Sequence, residues 1–271
     1  MSTVRCVVLG VLLGSAVLPV TAQKVDQRAP VRSEEMHHPV LWHDPGRIAG
    51  LDLLRGQGGK DGMPAPPFAF EGEDRDGSTP KFDARDTKGR KWRVKLGQEA
   101  RPEVAASRLL WAAGYFADDD YVVSKAYVSG LKMRRGRRLV HKGVVDDARF
   151  ARKPEGQRKI GIWRWKKNRF TGTREFNGLR VMMAVLNSWD LKDENNAVFR
   201  DEKTGRELFL VSDVGASFGR TGLHFTSGAS KSQPKAYARS KFILKRTETY
   251  VDFATPSRSW SLLAETFGFG A

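Results

Sequence analysis

The segment NSWDLKDEN, residues 187–195, sets Asn195 five positions after Asp190, and the segment LFLVSDVG, residues 208–215, ends an apolar run on Asp213 with Gly215 two positions on. The sequence around these segments decides how they are read. Between about 173 and 188, Phe176, Leu179, Val181, Met182, Met183, Val185 and Leu186 leave few polar positions. That pattern predicts a largely buried helix delivering the chain to Asp190. Ala197, Val198 and Phe199, a turn at 201–205 and the apolar run at 208–211 predict a strand pair delivering it to Asp213.

Toward the N-terminus, FDARDTKGRKWRVKLG, residues 82–97, predicts a hairpin about Thr87, Lys88 and Gly89, because Trp92 and Val94 alternate with charged neighbours. Pro102 suits a first helical position, and the helix it opens runs through Leu109, Leu110 and Trp111 until Gly114 ends it. Residues 121–128 read as a strand, and 138–145 with 160–165 as a hairpin excursion. Transfer of a phosphoryl group from a nucleotide needs a carboxylate beside the attacking hydroxyl, oxygen ligands for a divalent cation and a positive charge on the phosphates. Asp190, Asn195, Asp213 and Lys95 are candidates for these parts.

This order of elements, with the D-x-x-x-x-N spacing of Asp190 and Asn195 and the Asp-x-Gly at 213–215, resembles the protein-kinase-like superfamily over about 82–220. The style is that of its atypical members: phosphoinositide kinases, HipA-like kinases and secretory-pathway kinases. The resemblance implies an α+β, two-lobed protein-kinase-like fold occupying 76–271. A small β-rich N-lobe with one main helix would cover about 76–170, and a reduced helical C-lobe about 171–271. It implies Asp190 as the catalytic aspartate, which orients or deprotonates the acceptor hydroxyl. Asn195 and Asp213 would hold Mg²⁺ or Mn²⁺, and Lys95 would contact the phosphates of ATP or another nucleotide. Glu103 would pair with Lys95, ranking above Glu99 because its position is helical. The activity implied is phosphoryl transfer from a metal-nucleotide to a hydroxyl of a protein, lipid or small molecule.

The chain departs from the family pattern in three places. No G-x-G-x-x-G loop precedes Lys95, and the step from Lys95 to Glu103 is short. The residues after Asp213 are few for a kinase C-lobe, so the resemblance implies an end that is reduced or truncated. Residues 220–236, with Ser227, Ser230 and Ser232, stand where an activation segment would and read as a mobile loop.

Arg5, the apolar run CVVLGVLLGSAVLPV and the small-residue site at 20–22 read as a secretory signal peptide, residues 1–22. The expected protein is therefore exported, periplasmic or extracellular, with no membrane span. Residues 23–75 lack a sustained period and read as an extended or loosely ordered arm. Within them His37, His38, His43 and Asp44 lack the regular spacing of a metal site. The sole cysteine, Cys6, falls in the signal peptide, so no disulfide is expected. In a bacterial periplasm ATP is scarce, so the phosphate donor needs explaining.

The formal charge is +16; cleaving 1–22 removes one cation, Arg5, and leaves +15. Residues 131–170 hold fifteen Lys and Arg against three Asp and Glu. That concentration points to an anionic surface or acidic polymer as partner, and to a second reading, a non-catalytic kinase-fold binding module using this stretch. Trp163 and Trp165 among cations suggest nucleic acid, yet their two-residue spacing is more simply a strand with one buried face. Gly215-Ala216-Ser217-Phe218-Gly219 matches a nucleophile elbow, but no helical period follows it.

Overall fold

The computed structural model describes residues 26–32, 36–152, 155–220 and 231–254. The signal peptide, Ser227 and Ser230 lie outside the described residues.

Six strands form the larger sheet: β2 (Phe68–Asp74), β3 (Lys81–Arg85), β4 (Lys91–Lys95), β6 (Asp120–Ser129), β7 (Val140–His141) and β8 (Val144–Arg152). The hairpin of β3 and β4 turns on Asp86. Its buried carboxylate accepts from the backbone N–H of Lys88 and Arg90, each at 2.9 Å, and from the Trp92 indole N–H at 3.0 Å. Gly89 holds a positive φ of 76° in that turn, where a β-carbon would be strained. Strand β8 then pairs with β6 along one edge and with β4 along the other, so β4, β3, β2, β6 and β8 close into a five-stranded barrel. Only the β2–β6 pairing in this ring is parallel. Alternation fills the interior: Phe68, Phe82, Trp92, Val94, Tyr121 and Phe150 turn inward, and the rings of Phe68 and Phe150 meet at a tilt with 4.7 Å between their centres.

A second sheet carries β1 (Pro39–Val40), β5 (Phe116–Ala117), β9 (Gln157–Gly161), β10 (Asn196–Asp201) and β11 (Glu207–Val211). Here β11 pairs antiparallel with β10 and parallel with the short β1 and β5. Helices α2 (Ala100–Ala112) and α3 (Arg174–Val185) cover it, and a second core gathers Leu110, Trp163, Trp165, Phe176, Leu179, Met183 and Phe209. Helix α2 touches β6 and β8 of the barrel and β5 of this sheet. Thr173 caps α3 by accepting from the Phe176 N–H at 3.2 Å. Two one-turn helices, α1 (Gly59–Gly62) and α4 (Pro234–Ala238), and the hairpin of β12 (Ile243–Arg246) with β13 (Val251–Phe253) complete the described residues.

The two-lobed protein-kinase-like fold expected from the sequence is not what the chain forms. A closed five-stranded barrel and a mixed sheet dominate, and among the described residues there are four helices, two of them a single turn. The physical reason lies largely between the two runs read as a hairpin excursion, 138–145 and 160–165. Residues 144–152 have inward-turned side chains enough, Val145, Ala148 and Phe150, to be a shared barrel strand, while Arg149 between them turns outward to Glu103 of α2. The chain read as a helical C-lobe supplies strands β10 to β13 with α3 and α4. Helix α3 is also not buried all round: Phe176, Leu179 and Met183 face the core while Val181 and Val185 are exposed. Residues 23–75, read as a loose arm, contribute β2 to the barrel wall.

If the barrel interior carries the stability of this half, Phe82→Ala should cost about 3–5 kcal/mol. Urea denaturation of parent and variant checks this.

Candidate functional site

Strands β4 and β8 are neighbours in the barrel, and their register sets Lys95 directly opposite Arg149. Both side chains are buried. Two like charges facing each other across a ladder repel, so the arrangement requires an anion between them. Glu103, from the first turn of α2, supplies it: one carboxylate oxygen lies 2.7 Å from Lys95 Nζ and the other 3.3 Å from Arg149 Nη1. Arg149 also reaches Asp118 at 2.6 Å and Asp120 at 2.9 Å. Lys95 is held from its other side by Asp213, whose Oδ1 is 2.6 Å from Nζ, with Glu99 farther off at 3.9 Å. Glu99 in turn accepts from Thr79 at 2.8 Å and pairs with Lys231.

Asp213 sits in the loop after β11 with φ at +52°, a conformation unusual for a residue with a side chain. The loop can approach α2 because Gly215 has no β-carbon; one built there would lie 2.8 Å from Glu99 Cβ and 3.1 Å from Glu103 Oε2. The glycine of the Asp-x-Gly segment is thus a condition of contact between Asp213 and Lys95. Its neighbour Val214 anchors the loop in the second core.

Asp190 and Asn195 lie on an adjoining loop. Asn195 Nδ2 donates to the Asp190 carbonyl at 2.9 Å, and Ser212 donates to the Asn195 carbonyl through N–H at 3.0 Å and Oγ at 3.1 Å. The Phe218 N–H bonds the Leu186 carbonyl at 2.9 Å, and Asn187 Nδ2 bonds the Gly219 carbonyl at 2.8 Å. Both loops are therefore fixed side by side. The Asp190 carboxylate takes Lys192 Nζ at 2.9 Å as its partner. Of the five residues singled out from the sequence, the structure places Glu103 and Asp213 each in direct contact with Lys95. It joins Asp190 and Asn195 to them through the bonds that the Ser212 N–H and Oγ make to the Asn195 carbonyl. Arg149, Asp118, Asp120, Lys192 and Lys231 were missed. The run Asp118-Asp119-Asp120 just before a strand was the available signal, since three adjacent carboxylates at a strand start need a cation.

The charges are set by burial and by sharing. Burial pushes the Lys95 ammonium down, but Glu103 and then Asp213 outweigh it and hold the pKa above its usual value. Burial pushes the Asp213 carboxyl up, but the Lys95 charge and hydrogen bond hold it below the usual range. Burial pushes Glu103 up despite Arg149 and Lys95. Asp120, fully buried, is pushed up to about 7 even though Arg149 opposes this, because that one guanidinium is divided among Glu103, Asp118 and Asp120.

Ser217 is fully buried and its Oγ has no hydrogen-bond partner, with no helix directly after it, so the segment 215–219 is a turn rather than a nucleophile elbow. Among the described residues no cluster of three or more His, Cys, Asp and Glu side chains is placed to hold a metal. His38 instead ties its backbone N–H to Glu207 at 2.7 Å. No described helix is long and apolar enough to cross a membrane. Compared with models of known families, with curated proteins and with solved structures, the chain finds no match.

Two outcomes follow from the shared charges. Lys95→Met leaves Glu103 buried beside Arg149 alone and should cost about 3–5 kcal/mol, most of which Lys95→Met/Glu103→Met should restore; chemical denaturation of the three variants measures it. Asp120 binds its proton more tightly folded than unfolded, so its contribution is full below about pH 4 and declines as pH rises toward 7. Parent stability should therefore fall across that window relative to Asp120→Asn, by at most about 1.4 kcal/mol per pH unit, in unfolding curves taken at successive pH values.

Proposed function

We propose that this chain is an exported phosphotransferase that moves a phosphoryl group from a metal-nucleotide to a hydroxyl of a protein, lipid or small molecule. The single observation that carries the reading is the Lys95 ammonium clasped between the buried Glu103 and the half-exposed Asp213. Glu103 fixes the cation, and the exposed side of Asp213 leaves that end of the cluster open to a ligand. An incoming phosphate takes its place beside Lys95, where charge-assisted bonds in a partly dry setting are strong.

Asp190 and Asn195 support the same reading. Asn195 spends its amide nitrogen on the Asp190 backbone, which leaves its carbonyl oxygen as a metal ligand. With the second oxygen of Asp213 this gives two hard donors, a set that suits Mg²⁺ or Mn²⁺ completed by water and phosphate oxygens. Such a cation would neutralise charge on the transferring group. Asp190, held by Lys192, is the carboxylate that orients the acceptor hydroxyl and takes its proton.

The second reading, a non-catalytic module that holds an anionic partner through residues 131–170, draws on Arg137 and Arg138, which are exposed. One experiment separates the two. In thermal unfolding with Mg²⁺ or Mn²⁺ plus ATP, GTP or ADP, a nucleotide at ~100 times its Kd should stabilise the parent by ~2.7 kcal/mol. Asp213→Ala should abolish the shift. No shift with any metal-nucleotide pair would favour the binding module.

A further inference from the structure

A groove of about 690 Å³ opens beside the Lys95 cluster, between the β2–β3 connection, the start of α2 and the 3-10 turn Arg137–Leu139. Glu99 belongs to both places: it lines the groove and lies 3.9 Å from Lys95. Leu139 packs against the barrel core and lies 3.7 Å from a β-carbon built on Gly97, which pins the turn to the groove's rim. Arg137 and Arg138 are therefore displayed there by an anchored backbone. Their side chains make no hydrogen bond or ion pair with the described residues. By contrast, Arg135 nearby is spent on the Arg75 carbonyl. Lys231 enters from the far wall, held by Glu99.

Three cations thus face one carboxylate, which leaves the groove with net positive charge. Among the described residues no aromatic ring lines it, so it offers no surface on which a nucleobase could stack. Guanidinium forks suit tetrahedral oxyanions, and separated cations along one groove suit an extended anion better than a single one. The chain also has no G-x-G-x-x-G loop to cradle phosphates.

We propose that this groove binds a chain of linked phosphates, with Arg137, Arg138 and Lys231 as the contacts that replace a glycine-rich phosphate loop. The ligand class is shared by inorganic polyphosphate and by the tail of a nucleoside triphosphate. The inference rests on the phosphotransferase reading for its neighbouring site, and it answers the donor problem that export raises, since a donor recognised by its phosphates alone need not be a nucleotide.

The test is calorimetric titration of the full chain with sodium tripolyphosphate, inorganic phosphate and ATP, in the parent and in Arg137→Gln/Arg138→Gln. Tripolyphosphate should bind the parent with an affinity that falls as salt rises. It should bind the double variant at least about tenfold more weakly, while the unfolding midpoint without ligand stays that of the parent. ATP binding no tighter than tripolyphosphate identifies recognition of the phosphate chain alone. ATP binding much more tightly, with the same loss in the double variant, identifies a nucleotide tail. Equal tripolyphosphate affinity in parent and double variant overturns the proposal, as does inorganic phosphate binding as tightly as tripolyphosphate. Loss of the response in Asp213→Ala reports on the phosphotransferase site, so a groove that binds normally in Asp213→Ala survives failure of that reading.

Discussion

The pairing of Lys95 with Arg149 across β4 and β8 is the constraint on which the rest of the structure depends. Closing the barrel brings two buried cations face to face, and closure is tolerable only if a carboxylate reaches both. Glu103 does so from the first turn of α2, where the helix dipole also favours its negative charge. The position of α2 is thereby tied to the barrel's closing register. Through Leu110 and Ala106 the same helix enters the second core, so one ion cluster sets how the barrel, the helix and the second sheet are joined.

What the sequence made legible was local. The hairpin at 82–97, the helix after Pro102, the strand at 121–128, the helix after Thr173 and the strand pair before Asp213 each follow from a repeat within a dozen residues or from a turn or cap residue. Four pairings were not legible for a common reason. The β4–β8 pairing joins residues more than fifty positions apart, β2 meets β6 in parallel, and β1 and β5 are two residues each. None leaves a periodic trace. The dense positive charge of 131–170 further hid β8, because Arg149 reads as a surface residue until its three carboxylates are placed around it. The kinase-like architecture failed at this point: the motif order is present in the chain, but the strands between the motifs close a barrel.

The candidate site was more legible than the fold around it, because its parts are residue types at the ends of elements. Lys95 ends a strand, Glu103 lies in a first helical turn and Asp213 follows a strand. Ends of elements converge where sheets and helices meet, so three such residues come together although the overall architecture differs from the one expected. Of the residues that were missed, Arg149 lies inside a strand and Asp118 and Asp120 in a run of like charge, while Lys192 and Lys231 lie in loops, where an ion-paired side chain and a solvated one look alike.

A buried ion cluster is by itself a weak argument for chemistry, since an ion network can exist to hold a fold together and often costs as much in desolvation as it returns. Here the two ends of the cluster differ. Arg149, Glu103 and Asp120 are shut off from solvent and satisfy the barrel's own need for neutrality. Asp213 is not needed for that: its side chain is 47% exposed, its backbone is held at positive φ, and a glycine two residues on gives up its side chain so that the loop can approach. A fold that required only neutrality at Lys95 has Glu103 at 2.7 Å already and gains little from a strained, half-open second carboxylate. The cost incurred at Asp213 therefore lies at the solvent-facing end of the cluster, the end at which the proposed phosphate site would sit, and not in the barrel core.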